Sequence, residues 1–249
     1  MPKGDGRDDT TVTPSSGRTR HVCWQMLVHA ESVLVAKPRL RGVSHQLAFF
    51  VFLLATTMLF LLVQGAAARW AVGVYGMSIC MLLGTSALYH RGRWSHKVAA
   101  RIQRLDHSAI FVLIAGSYTP LFLLLYPADR AFGPLAMVWL FASLGVLKAM
   151  VWPKSPGWVT AALAIGVGWC GVWHVTALAD SMGAAALALI VGAGITYTVG
   201  GLVYASRRPD PLPKIFGYHE VFHALVVTAG AAHFVHVVLL LDRTGALAV

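Results

Sequence analysis

Seven stretches of mostly apolar residues alternate with short polar, cation-bearing segments along this chain: residues 44–64, 70–90, 106–126, 131–151, 158–178, 183–205 and 219–241. About twenty helical residues cross the roughly 30 Å of hydrocarbon in a bilayer, and each stretch has that length. Gly116, Pro120, Gly166, Gly192 and Gly200 fall inside these stretches. They are no objection, because helices in lipid tolerate both residue types. The connections are short, so neighbouring helices should pack antiparallel. The pattern predicts an all-α membrane protein: a bundle of seven transmembrane helices over residues 37–249, preceded by a polar, partly disordered tail over residues 1–36.

Composition sharpens this. Of 249 residues, 57% are hydrophobic and 12% charged, about half the charge of a soluble domain, so a water-wrapped globule is excluded. The tail lacks an apolar core followed by a small-residue cleavage site, and so reads as a cytoplasmic extension and not as a signal peptide. Lys and Arg sort by side. Those of the tail and of the segments after stretches two, four and six lie on one side, and Arg69, Arg130 and Arg243 on the other. The positive-inside rule then places the N-terminus in the cytoplasm and the C-terminus outside, in the plasma membrane (the inner membrane of a cell with two). The net charge of +10 falls in clusters between apolar runs. This suits membrane lipids with anionic headgroups at the cytoplasmic face, and no nucleic acid. Cys23, Cys80 and Cys170 have no spacing that suggests a disulfide framework or a thiolate metal site. Between stretches two and three, Trp94, Val98 and Ile102 recur every fourth residue among cations. Two readings stay open there: an amphipathic turn at headgroup level, or an extension of the third helix.

Ionisable groups inside spans are costly and default to functional hypotheses. Topology brings several to one end of the bundle: His45 opening helix one, Ser86 and His90 closing helix two, Asp106 and His107 opening helix three, His219 and His223 opening helix seven. Residues four apart share a helix face, so His219 and His223 can reach one ion, and His90 arrives at matched depth as a third imidazole. Three such ligands with an open fourth position describe a catalytic Zn²⁺ site. Asp106 is the candidate base beside it, with an exposed helix N-cap as its plainer role. Ser86 is a candidate hydrogen-bond donor to the water or to a developing oxyanion, or a small residue that lets helices approach. His45 and His107 are candidates for a supporting layer. His219-Glu220-Val221-Phe222-His223 also reads HExxH, the zincin signature in which Glu220 would be the base, but no further zincin ligand motif follows. His233 lies fourteen residues past His219, about 20 Å deeper. It cannot share that ion, and a hydrogen bond within the bundle is its expected role. His174 and His236 read as core or interface residues of the outer half.

Together, Lys37-Pro-Arg-Leu-Arg-Gly-Val-Ser-His45, Ser86-Ala-Leu-Tyr-His90, Leu105-Asp106-His107-Ser108-Ala109-Ile110, Ala115-Gly-Ser-Tyr-Thr-Pro120 and Gly217-Tyr-His219-Glu-Val-Phe-His223 resemble the hemolysin III family. That family is the bacterial branch of the progestin and adipoQ receptor superfamily, distantly related to alkaline ceramidases. The resemblance runs from Lys37 to Leu241 and implies a seven-helix fold with zinc near the cytoplasmic face. His90, His219 and His223 would be the ligands, Asp106 would stand near a bound water, and Glu220 is demoted, because relatives vary there. It also implies an activity: zinc-dependent hydrolysis of a lipid amide or ester, linked to membrane lipid homeostasis. The competing expectation is a non-enzymatic sensor of membrane fluidity, or a receptor, with structural zinc. An intramembrane metalloprotease using Glu220 is a lesser alternative. A haemolytic pore ranks last, since no stretch carries the polar stripe of a water-filled channel. Oligomerisation is left open.

Overall fold

The computed structural model describes residues 38–247, Leu178 excepted; the polar tail lies outside the described residues. The described chain is helical: α1 (Val43–Leu62), α2 (Ala66–Arg91), α3 (His96–Leu125), α4 (Ala128–Val151), α5 (Gly157–Trp169), α6 (Val172–Ala177), α7 (Ala179–Met182), α8 (Ala184–Ser206) and α9 (Tyr218–Arg243). Among the described residues there is no sheet, only isolated bridges such as Val63 to Leu247. Seven spans are long and apolar enough to cross a membrane, the fifth running through α5 into α6. Consecutive spans pack side by side, α8 packs on α5 and α9, and α9 returns against α1, α2 and α3. Large apolar side chains such as Leu47, Val51, Trp70, Met77, Phe132 and Trp173 point outward, as lipid-facing positions do.

The most buried spans are α2 and α3. Tyr75, Ile79 and Leu83 on α2 pack with Leu113 on α3 and Val226 on α9 in one apolar cluster. Phe111 and Phe122 on α3 pack with Val138 and Ala142 on α4 in a second. The α3–α4 seam is set by a close approach: a Cβ on Gly145 would stand 2.2 Å from the Phe111 ring, so the ring occupies the space a side chain there would need.

Two boundaries differ from the sequence pattern. Helix α3 starts at His96 and not near Asp106, so the cation-rich segment is a helical extension and not a separate turn. Its backbone ladder continues where the apolar pattern stops, because headgroup depth accepts cationic side chains on a helix. The fifth span is not one helix. It breaks at Cys170–Gly171, and the Tyr118 hydroxyl donates to the Gly168 carbonyl at 2.6 Å, occupying an acceptor at the break.

Candidate metal centre

The site forms where the ends of α1, α2 and α9 meet, beside α3, at the cation-rich end. Gly42 sets the approach of the first strand of chain. It precedes α1 with φ 77°, and a Cβ there would stand 2.7 Å from the Cβ of His90, so a residue with a side chain would meet both left-handed strain and a clash. At the start of α9, Glu220 closes a capping box by accepting the Gly217 N–H at 2.8 Å. Its other oxygen pairs with the Arg41 guanidinium at 2.5 Å. This ion pair ties the segment before α1 to the start of α9.

These anchors leave His90, His219 and His223 facing one another. Their potential ligand nitrogens all lie within 4.8 Å of one another. The Nε2 atoms of His90 and His219 are 3.1 Å apart, and the His219 and His223 ring centroids 4.5 Å. His45 stacks on His223, centroids 3.8 Å apart and planes 8° from parallel. Both ring nitrogens of His45 and the Nδ1 of His223 are buried without a hydrogen-bond partner. A donor set of three imidazoles, with neither thiolate nor carboxylate among them, is the chemistry of a zinc site. The orphaned Nδ1 of His223 is the type of lone pair an ion would occupy. The residues present therefore fit zinc.

Asp106 lies on the adjoining face of α3, at the same end of the bundle as the buried Ser86 of α2. Ser86, Asp106, His107, His45, His219 and His223 all line one cavity of about 210 Å³, which runs down past Ile114, Ala164 and Gly194 to His233. Its wall is mostly apolar below the histidines. Both carboxylate oxygens of Glu220 are engaged by Arg41 and Gly217, and Glu220 is not among the residues that line the cavity. Deeper along α9, His233 Nε2 donates to the Ser117 carbonyl at 3.1 Å and His236 Nδ1 to that of Ala186 at 2.9 Å. His174 Nδ1 is 2.8 Å from the Tyr126 hydroxyl. Sequence reasoning missed Arg41, counting it only as one cation among many. Its signal was an arginine just before the first span and an acid just inside the last, at the same end of the bundle.

Fold and site together define a seven-helix integral membrane protein with a cluster of three histidines beside a half-buried carboxylate at its cation-rich end. The model of the haemolysin-III related family matches residues 34–234, and the chain belongs to that family, within the wider group that includes the adipoQ receptors. It is similar to the hemolysin-3 homolog of Bacillus subtilis, 28% identical over 78% of this chain and 89% of that one. It is similar also to hemolysin-3 of Bacillus cereus, 29% identical over 68% and 74%. The rice heptahelical transmembrane protein ADIPOR2 is 31% identical over 70% of this chain and 83% of its own. The protein is a multi-pass protein of the plasma membrane.

Proposed function

We propose that this protein is a zinc-dependent hydrolase of lipid amide or ester bonds that acts on membrane lipids at the cation-rich membrane interface. The observation that carries the reading is convergence: His219 and His223, clustered with His90, border one end of a mostly apolar cavity together with Ser86 and Asp106. A zinc ion held by His90, His219 and His223 would supply Lewis acidity and a bound water acidified towards neutrality. The chain's own groups do the rest. The apolar wall takes the acyl chain and excludes bulk water, so the scissile carbonyl is presented at the polar end. Asp106 accepts the proton of the attacking water at a carboxylate oxygen and returns it to the leaving nitrogen or oxygen, which yields a fatty acid and an amine or alcohol. Ser86 holds Asp106 in place.

The test uses purified protein in phosphatidylcholine nanodiscs with an N-acylsphingosine or a diacylglycerol, reading fatty acid release and zinc content. Asp106→Ala should keep its zinc and lose turnover by about 10²–10⁴-fold, the usual worth of a general base. Equal turnover in that variant rejects Asp106 as base. One observation favours a second reading, a sensor or receptor with structural zinc: the three histidines tie the end of α2 to the start of α9. On that reading the wild type releases no fatty acid, and His90→Ala lowers the melting temperature while Asp106→Ala leaves it unchanged.

A further inference from the structure

A second polar cluster lies between α3, α4 and α5, beside the cavity residues His107 and Thr160. The contact of Phe111 with Gly145 fixes the register of the α3–α4 seam. One turn towards the cation-rich end from Phe111 are His107 and Ser108, and one turn from Gly145 is Lys148, so these positions face each other. Arg104 follows one turn beyond Ser108 on the same face. The Lys148 ammonium, half-buried, donates to the Thr160 hydroxyl of α5 at 2.5 Å. Thr160 and His107 both line the cavity.

Three features mark this as a site and not a solvated surface. Ser108 is 3% exposed and its hydroxyl has no hydrogen-bond partner. The Arg104 Nε is likewise buried and unpartnered, as is the hydroxyl of Ser155 on the turn joining α4 to α5. Among the described residues, the side-chain ion pairs are Arg41–Glu220 and Arg130–Asp129, so no described carboxylate pairs directly with Arg104 or Lys148. A lysine at membrane depth ordinarily extends its ammonium to water. Here it is turned inward onto a neutral hydroxyl, which satisfies one of three donors and none of the charge. Buried donors and charges call for a partner.

The geometry points to an oxyanion site: the phosphate of an anionic membrane lipid, held by Arg104, Ser108 and Lys148, with the lipid's chain directed past His107 and Thr160 into the cavity. Arginine and lysine donors with a hydroxyl suit a tetrahedral oxyanion with several acceptor oxygens. Depth and adjacency to the apolar cavity assign that oxyanion to a lipid. Placement of the chain in the cavity rests on the hydrolase reading, and it makes the preferred lipid of that reading a phosphate-bearing one; the phosphate site itself does not depend on catalysis.

The experiment is native mass spectrometry of protein taken from phosphatidylcholine nanodiscs doped with phosphatidylglycerol, with a parallel arm given inorganic phosphate. Wild type should retain phosphatidylglycerol over phosphatidylcholine. Arg104→Gln/Lys148→Met should weaken that retention about tenfold or more, the loss expected when charged hydrogen bonds go. Ser108→Ala, which keeps both cations and the fold, should weaken it about threefold. Arg208→Gln, which removes an exposed cation elsewhere, should leave it unchanged. Equal retention by the double variant and wild type overturns the site. Displacement by inorganic phosphate, with no preference between the two lipids, overturns its assignment to a lipid. Asp106→Ala should retain phosphatidylglycerol as wild type does, so failure of the hydrolase reading and failure of this one are separately visible.

Discussion

Glu220→Gln separates two roles for the acid in HExxH. Glu220 is 2% exposed and the Arg41 side chain 19%, with 2.5 Å between guanidinium nitrogen and carboxylate oxygen. Removing one partner of a buried ion pair costs roughly 3–5 kcal/mol, because the other charge is left behind. Arg41 keeps enough exposure to rehydrate in part, which sets the expectation near 3 kcal/mol, the lower end of that range. Glutamine still accepts the Gly217 N–H, since a capping box takes Gln as well as Glu. Glu220→Ala should lose that bond too, about 1 kcal/mol more. For a chain of this size 3 kcal/mol corresponds to a melting shift of roughly 6–12 °C on the scale of globular proteins. The assay is a thermal melt in detergent read by a thiol-reactive fluorogenic dye on Cys80 and Cys170, both half-buried free thiols. Below its melting temperature the Gln variant should keep zinc and any turnover the wild type has. A wild-type melt combined with abolished turnover refutes the reasoning, and makes Glu220 the reacting base instead of a tie between the segment before α1 and α9.

Other outcomes follow from the same geometry. Gly145→Ala places a methyl 2.2 Å from the Phe111 ring and should cost about 1–3 kcal/mol, as overpacking does. At Gly168 a Cβ meets nothing within 4 Å, so Gly168→Ala should stabilise by up to about 1 kcal/mol; the two melts compared side by side check the seam and the cavity together. Gly42→Ala should displace His90 and lower zinc per chain, read by elemental analysis, in proportion to the loss seen in His90→Ala. Tyr118→Phe removes the bond to the Gly168 carbonyl and should lower the melting free energy by about 1 kcal/mol, with faster amide exchange confined to the fifth span.

Lipid makes the fold easy to read and its edges hard. In hydrocarbon every backbone polar group must be satisfied within the segment, so an apolar run of spanning length has one outcome, a helix. That logic located all seven spans. It says nothing about where a helix ends once it reaches headgroups, and so α3 runs ten residues beyond its apolar stretch. Nor does it register a break inside an apolar run. Cys170 and Gly171 are as apolar as their neighbours, and the bond that meets the break, from Tyr118 of α3 to the Gly168 carbonyl, has no local signature.

The two polar clusters differ in legibility for a related reason. His90, His219 and His223 could be grouped from depth alone, because helix direction and the i, i+4 spacing fix which end of the bundle each occupies. Stacking of His45 on His223 and pairing of Arg41 with Glu220 lie at that same depth, but both need the rotation of α1 and of the segment before it, which Gly42 sets. Arg104, Ser108 and Lys148 are invisible at sequence level. Their facing depends on the rotational register of α3 against α4, and that register is decided by one aromatic ring resting on one glycine. Sequence depth thus identifies groups that chemistry concentrates at a membrane interface. Which of them touch is settled by close packing one or two turns away. A variant that slips the Phe111–Gly145 seam should therefore loosen phosphatidylglycerol retention while leaving zinc content intact, and equal loss of both would show that the two clusters are not held independently.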